Sequence, residues 1–300
     1  NEDLVEYMIY GAIGDRKENS QVFKELLKKY NNGKIVVDFG LKFYGRNKPI
    51  HKAIAYSFSP LIPNISGNEL AAIEFLREIG IETKNGNEWR TVDSLSEMEI
   101  RKIVDGLLSY SVNPEDILGE NFSVISREGS FSDVREIASI INACSRLGRI
   151  EDGFRFCLGD HKVLNSVEDI LEDYRKKLSE LIEKIEREYI IEKESIIFII
   201  SREIPDTLIG VLVSMVSEIK KDKVVFGIGL DEEIGMLKIS ARSVKNKNIN
   251  LRNLLVSIVE ELGGEAGGHK NAAGAYIPIG KEKDFMEKIE KIFSDKNGKD

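Results

Sequence analysis

The sequence predicts an α/β chain in two parts: a partial N-terminal domain with a helical extension, a long connecting helix, and a smaller, complete C-terminal α/β domain. Three observations predict it. Val167, Ile170, Leu171, Tyr174, Leu178, Leu181, Ile182, Ile185 and Tyr189 recur at helical spacing, one unbroken stripe through residues 166–190. After that stripe, short apolar runs alternate with amphipathic helix patterns to the end of the chain. Before it, helix patterns outnumber strands, too few of which are present to complete an α/β domain. The parts are therefore 1–165, 166–190 and 191–300.

Each element follows from its own pattern. MIYGAIGD (8–15) is an apolar segment ending in an acid, followed by a helix pattern at 19–30 and a strand-like run, IVVDFGL, at 35–41. Further helices are expected at 68–79 and 133–147, with Trp89 in a polar loop between them. These pieces read as the closing part of a domain whose beginning lies outside the sequence. Ser166 is the expected N-cap of the long helix, with Asp169 three residues on. At the standard rise that helix spans about 36 Å, long enough to bridge two domains. Beyond it, SIIFIISR (195–202) reads as a buried strand and Asp206 as the cap of a helix running to Lys220. Strands at 223–230 and 236–242, a helix at 251–262, a glycine turn, a strand at 275–279 and a helix at 281–294 complete the domain.

Composition narrows the class. The 300 residues are 42% hydrophobic, enough for substantial cores. No apolar run approaches the roughly 18 residues of a membrane span, and the opening residues lack a secretory signal, so a soluble, cytoplasmic protein is expected. Cys144 and Cys157 read as buried thiols. A net charge of −8 does not advertise a nucleic-acid binder, but binding depends on a local basic face rather than on the total.

Four phrases carry chemistry. GGEAGGHKNAAG (263–274) sets His269 among glycines, which let a backbone approach a ligand and turn its N–H groups toward an anion. By itself it is equally a tight turn. Upstream, KISARS (238–243) ends in Arg242-Ser243, its alternation placing Ile239 and Ala241 on one face and Ser240 and Arg242 on the other. GAIGDR (11–16) puts Asp15 at the end of an apolar segment, as a cap or a metal ligand. In INACSRLGR (141–149), Asn142 and Arg146 share a helix face. They either tie that helix to its neighbours or offer a guanidinium fork suited to a phosphodiester. His51 and His161 stand alone and read as surface residues.

The order strand, Arg-Ser, helix, GGH-x-N-A-A-G resembles the nucleic-acid-binding domain that follows the DHH domain in the DHH phosphoesterase superfamily. GAIGD resembles the fourth DHH motif, and INACSRLG resembles the I-N-A-A-G-R-L-G phrase of RecJ-type single-strand exonucleases, with Ser145 in place of a glycine. KPIHKAIAYSFSPLIPNISG (48–67) and FCLGD (156–160) are similar to the archaeal RecJ branch.

The resemblance implies hydrolysis of single-stranded DNA or RNA, in replication or repair, at a two-metal site holding manganese or magnesium. It makes Asp15 a catalytic metal ligand, the remaining ligands coming from a DHH signature absent from this sequence. It assigns Arg146, Arg242, Ser243, Gly267, Gly268, His269 and Asn271 to the nucleic acid, with the strand threading between two domains spaced by the long helix. Ala266 replaces the first glycine of the usual G-G-G-H, which is tolerable if its φ is negative. The same resemblance admits an inactive replisome component, since RecJ relatives accompany the GINS complex and the MCM helicase and some have lost the metal ligands. A third class, phosphoesterases of very short oligonucleotides, fits the RecJ-like middle phrases less well.

Overall fold

The chain divides into two compact units, residues 1–179 and 180–300, the division falling inside the long helix. The computed structural model describes residues 4–31, 33–125, 127, 129–244 and 249–297.

Unit 1 opens with helices α1 (Val5–Gly14) and α2 (Gln21–Tyr30), then strand β1 (Ile35–Leu41) and helices α3 (Ile50–Ala55) and α4 (Glu69–Glu78). A small hairpin, β2 (Lys84–Asn85) and β3 (Glu88–Trp89), precedes α5 (Glu97–Leu108), α6 (Pro114–Ile117) and strand β4 (Leu118–Val124). Helices α7 (Val134–Arg146), α8 (Ile150–Cys157) and the start of α9 (Leu164–Lys184) complete it. Side-chain caps fix the helix starts. Ser20 Oγ accepts from the Phe23 N–H, Asn68 Oδ1 from Ala71, and Asp133 from Arg135. Ser96 and Glu99 form a reciprocal capping box.

β1 and β4 pair antiparallel from Ile35–Val124 to Leu41–Leu118. An apolar core gathers Leu41, Ile54, Phe75, Leu76, Ile103 and Leu107. The other packing region holds buried charge. Arg175 of α9 donates to Glu136 of α7 at 2.7 Å, and Arg135 donates to Glu18 at 3.3 Å and to the Glu120 carbonyl at 3.0 Å. A charge taken out of water persists only where it is paired in this way.

Unit 2 takes the end of α9, a π-turn over Ile185–Tyr189 and strand β5 (Ile190–Glu192). Strand β6 (Ile196–Pro205), helix α10 (Asp206–Ile219), strands β7 (Val224–Asp231) and β8 (Met236–Ser243) and helix α11 (Leu251–Glu261) follow. Strands β9 (Glu265–His269) and β10 (Ala272–Pro278) and helix α12 (Glu282–Asn297) close the chain. The six strands lie in the order β5-β6-β7-β8-β10-β9, with β6 and β7 parallel and every other neighbour antiparallel. Phe198, Phe226, Ile239, Ala241, Leu255, Ile277 and Phe285 fill the core on one face, under α11 and α12. On the other, a Cβ at Gly227 would stand 2.4 Å from Val213, so only glycine lets α10 lie this close to the sheet.

The α/β class holds, and the expected buried stripe of the long helix is present from Val167 to Ile185. Several details differ. The long helix begins at Leu164 rather than at Ser166, whose hydroxyl instead donates to Asp152. It gives way after Lys184 to the π-turn and β5, where continued helix was expected. Asp206 is the first helical residue, after Pro205. His51 is buried rather than on the surface, its ring 4.3 Å from that of Trp89, which lies in the β2–β3 hairpin. Cys144 is buried and Cys157 half-buried, and both are free thiols. The largest correction concerns the glycine phrase. It is a β-hairpin, with β9 at the sheet edge, and β10 starts three residues earlier than expected. Among the described residues no helix is long and apolar enough to cross a membrane.

Candidate nucleic-acid interface

The hairpin's register decides what the glycine phrase presents. Ala272 pairs with Arg242 on one side and with His269 on the other. Directly paired residues share a face, so Arg242, Ala272 and His269 form one row across three strands. Two neighbouring strand spacings separate the outer pair by roughly 10 Å between backbones, with only the Ala272 methyl between them. The next row is Ser240, Gly274 and Gly267, and beyond it Lys238, Tyr276 and Glu265. Ile239, Ala241, Ala273, Ala275 and Ile277 point the other way, into the core. The open face is thus a shelf floored by Ala272, Gly274 and Gly267, with α10 packed over β7 and β8 beside it and covering Ser240.

Backbone contacts hold the hairpin tip. The Ser243 N–H donates to the Asn271 carbonyl at 3.1 Å and the Leu251 N–H to the Lys270 carbonyl at 2.8 Å. Gly268 has φ +129°, and a Cβ there would stand 2.6 Å from the Ala272 carbonyl oxygen and the Ala273 Cα. That conformation and that approach admit glycine alone. Gly267, by contrast, has open space where its Cβ would be. Ala266 has no positive φ, so its methyl is accommodated, packed against the core.

The structure places the remaining sequence-derived residues as follows. His269 is exposed, with no side-chain partner among the described residues, so it is not a buried prop for a turn. Arg242 is half-buried, and its Nη1 donates to the Ala241 carbonyl at 3.0 Å. Asn271 is exposed at the hairpin tip. Ser243 falls on the opposite face from Arg242 and is 5% exposed, away from the shelf. Sequence reasoning missed Tyr276 and Lys238 as members of this face. The alternation of KISARS already put Lys238 with Arg242, but aligning Tyr276 required the hairpin register.

In unit 1, Asp15 follows α1 and is exposed, its backbone N–H donating to the Gly11 carbonyl at 2.9 Å. It borders a cavity of about 290 Å³ between α1 and α2, lined mainly by apolar side chains including Val5, Ile9, Val22 and Phe23. Among the described residues, Asp15 is the only carboxylate on that lining. Gly14 beside it faces Ala138 and Asn142 of α7, so the GAIGD and INACSRLG phrases do meet. Arg146, half-buried in the last turn of α7, lies near Tyr174, where its charge opposes the burial that pushes the Tyr174 hydroxyl pKa up. Among the described residues no group of three His, Cys, Asp or Glu side chains could hold a metal ion. The residues present therefore do not by themselves fit the manganese or magnesium centre that the resemblance implies.

Comparison with known families bears on both units. Residues 43–117 match the DHH-CID domain and residues 193–295 the DHHA1 domain, together more than half of the chain. The chain belongs to the DHH superfamily. Its DHHA1 domain is the α/β unit that carries the shelf. An uncharacterized protein of Methanocaldococcus jannaschii, MJ0831, is 26% identical over 306 residues, covering 98% of this chain and 64% of the relative. The chain thus spans just under two thirds of that relative's length. CDC45 from Entamoeba histolytica superposes with a TM-score of 0.62 at 12% identity, over 98% of this chain and 69% of that one, which shows a shared fold. RecJ from Thermus thermophilus, in complex with Mn2+, aligns at 22% identity over 53% of this chain and 24% of its own, with a TM-score of 0.41.

Proposed function

We propose that this chain acts as a RecJ-like, strand-binding component of the replication machinery, which holds single-stranded nucleic acid on its DHHA1 sheet without itself hydrolysing it. The observation that carries this reading is the contrast between the two units. The DHHA1 shelf presents Arg242 and exposed His269 in one row, flanked by exposed Gly267 and Asn271, an arrangement that suits phosphate oxygens. Among the described residues, the place corresponding to the metal motif offers one carboxylate, that of Asp15. The likeness to CDC45 across nearly the whole chain supports the same assignment, with the GINS complex and the MCM helicase as the partners that the family resemblance implies.

A nuclease reading is favoured by one observation, the retention of Asp15 beside Asn142 and the rest of the RecJ-like α7 phrase. It requires further ligands from outside this sequence.

The test is to mix the chain with a labelled single strand, with and without manganese, and to follow anisotropy and strand length together. Binding that weakens with rising salt and leaves the strand intact is expected, because phosphate contacts release counterions. Co-purification with GINS tests the partner. Manganese-dependent degradation that disappears in Asp15→Asn would return the protein to the nucleases. Equal affinity across a salt series would remove the phosphate-gripping role.

A further inference from the structure

The row farthest from the hairpin tip differs in kind from the Arg242–His269 row. It comprises Lys238, Tyr276 and Glu265, four residues along each strand from the first, a separation of roughly 13 Å at the usual strand rise. Lys238 pairs with Asp206 at 3.2 Å, and its ammonium lies 5.9 Å from the centre of the Tyr276 ring. Glu265 is exposed on the outer side. One cation beside two carboxylates repels a phosphate, whereas Arg242, Ala272 and His269 bring no carboxylate of their own to the first row. A neutral, flat group is compatible with such a place. The floor leading to it, Gly274 and Gly267, has no side chain to obstruct a strand lying along the shelf.

We propose that Tyr276 is the platform on which a base of the bound strand stacks, while Arg242 and His269 hold a phosphate of the same strand nearer the hairpin tip. The proposal rests on the strand-binding reading above. It assigns the shelf two chemically distinct seats, and so a ligand longer than a single nucleotide. Aromatic faces serve this purpose without regard to sequence because every base has a π-face. The contact selects strands that carry bases over bare sugar-phosphate chains.

The test uses the full chain and two labelled probes of equal length, an oligodeoxycytidylate and an abasic deoxyribose-phosphate strand. Tyr276→Ala and Tyr276→Leu are expected to weaken the cytidylate roughly ten-fold and leave the abasic strand unchanged, since losing one stacked base costs about that much. Tyr276→Phe should bind both as the wild type does. If the alanine variant does not fold, the leucine and phenylalanine variants, each checked by melting curve, carry the comparison. Arg242→Ala and His269→Ala should weaken both probes equally. Tyr276 variants that weaken both probes alike, or neither, would overturn the platform while the phosphate seat stands. Indifference of both probes to Arg242 and His269 would instead overturn the strand-binding reading itself.

Discussion

Two adjacent glycines of the hairpin, alike in sequence, should behave oppositely when given a methyl group. At Gly268 the backbone lies at φ +129°, which an L side chain adopts at a cost of about 1–3 kcal/mol. The added Cβ also meets the Ala272 carbonyl oxygen and the Ala273 Cα at 2.6 Å, both of them backbone, so neither can move aside without shifting β10. Gly268→Ala should therefore destabilise unit 2 by roughly 2–4 kcal/mol, combining that strain with overpacking. For a unit of this size each kcal/mol lowers the melting temperature by about 4 °C, giving a fall of roughly 8–16 °C. At Gly267 nothing lies within 4 Å of the Cβ and φ is not positive, so Gly267→Ala should change stability by less than about 1 kcal/mol, with the reduced freedom of the unfolded chain in its favour. Its methyl does, however, stand on the open face where the strand is proposed to lie, and it should weaken binding. Thermal and urea unfolding beside anisotropy separate the two effects. A Gly268→Ala protein that melts with the wild type would refute the hairpin register, and with it the alignment of Arg242 with His269.

Three further outcomes are expected. Arg242→Ala and His269→Ala should each cost strand affinity by roughly 1–3 kcal/mol, the range for a charge-assisted hydrogen bond, and His269→Ala should leave the melting curve in place because that side chain is exposed. A melting temperature that falls with binding in His269→Ala would make it a structural residue. Arg175→Ala strands Glu136, 1% exposed, without its cation and should destabilise unit 1 by about 3–5 kcal/mol in urea unfolding. Stability equal to the wild type's would show that the Arg175–Glu136 pair does not hold unit 1 together. Burial pushes the Asp133 pKa up from its ordinary 3.8 to about 6, helped by the nearby Glu136, and its Oδ2 has no hydrogen-bond partner. Between those values the folded state holds a proton that the unfolded state releases, so the contribution of Asp133 to stability is full below pH 3.8 and is lost as pH rises through 6. Asp133→Asn, which keeps a capping oxygen for α7 and removes the titrating group, should flatten that slope. An unchanged pH profile of unfolding would count against the assignment.

Sequence periodicity reached the elements that bury one face against a core. The α9 stripe, the β6 run and the alternation of β8 were legible because their apolar residues repeat with the period of the element itself. Elements whose form depends on distant pairing were not. Nothing in EAGGH alternates between apolar and polar residues, so β9 reads as a turn. It is a strand because β10 supplies hydrogen-bond partners and Gly268 lets the two backbones close. The same limit hid the burial of His51, which depends on Trp89 returning through a hairpin far along the chain.

That limit also decided which site residues could be named from sequence. Arg242 and His269 carry chemistry in their own side chains, so a short phrase exposes them. Tyr276 and Lys238 gain their proposed significance only from rows, and a row is a property of register. A one-residue slip of β10 against β8 would send Tyr276 into the core and bring Ile277 to the shelf. Buried Ile277 and Ala275 exclude that slip, since their placement in the core requires Tyr276 and Gly274 to face outward. The apolar half of β10 thus specifies its outward-facing half. Ala273 packs into the core and so seats the strand with Ala272 between Arg242 and His269, the two side chains proposed to hold phosphate.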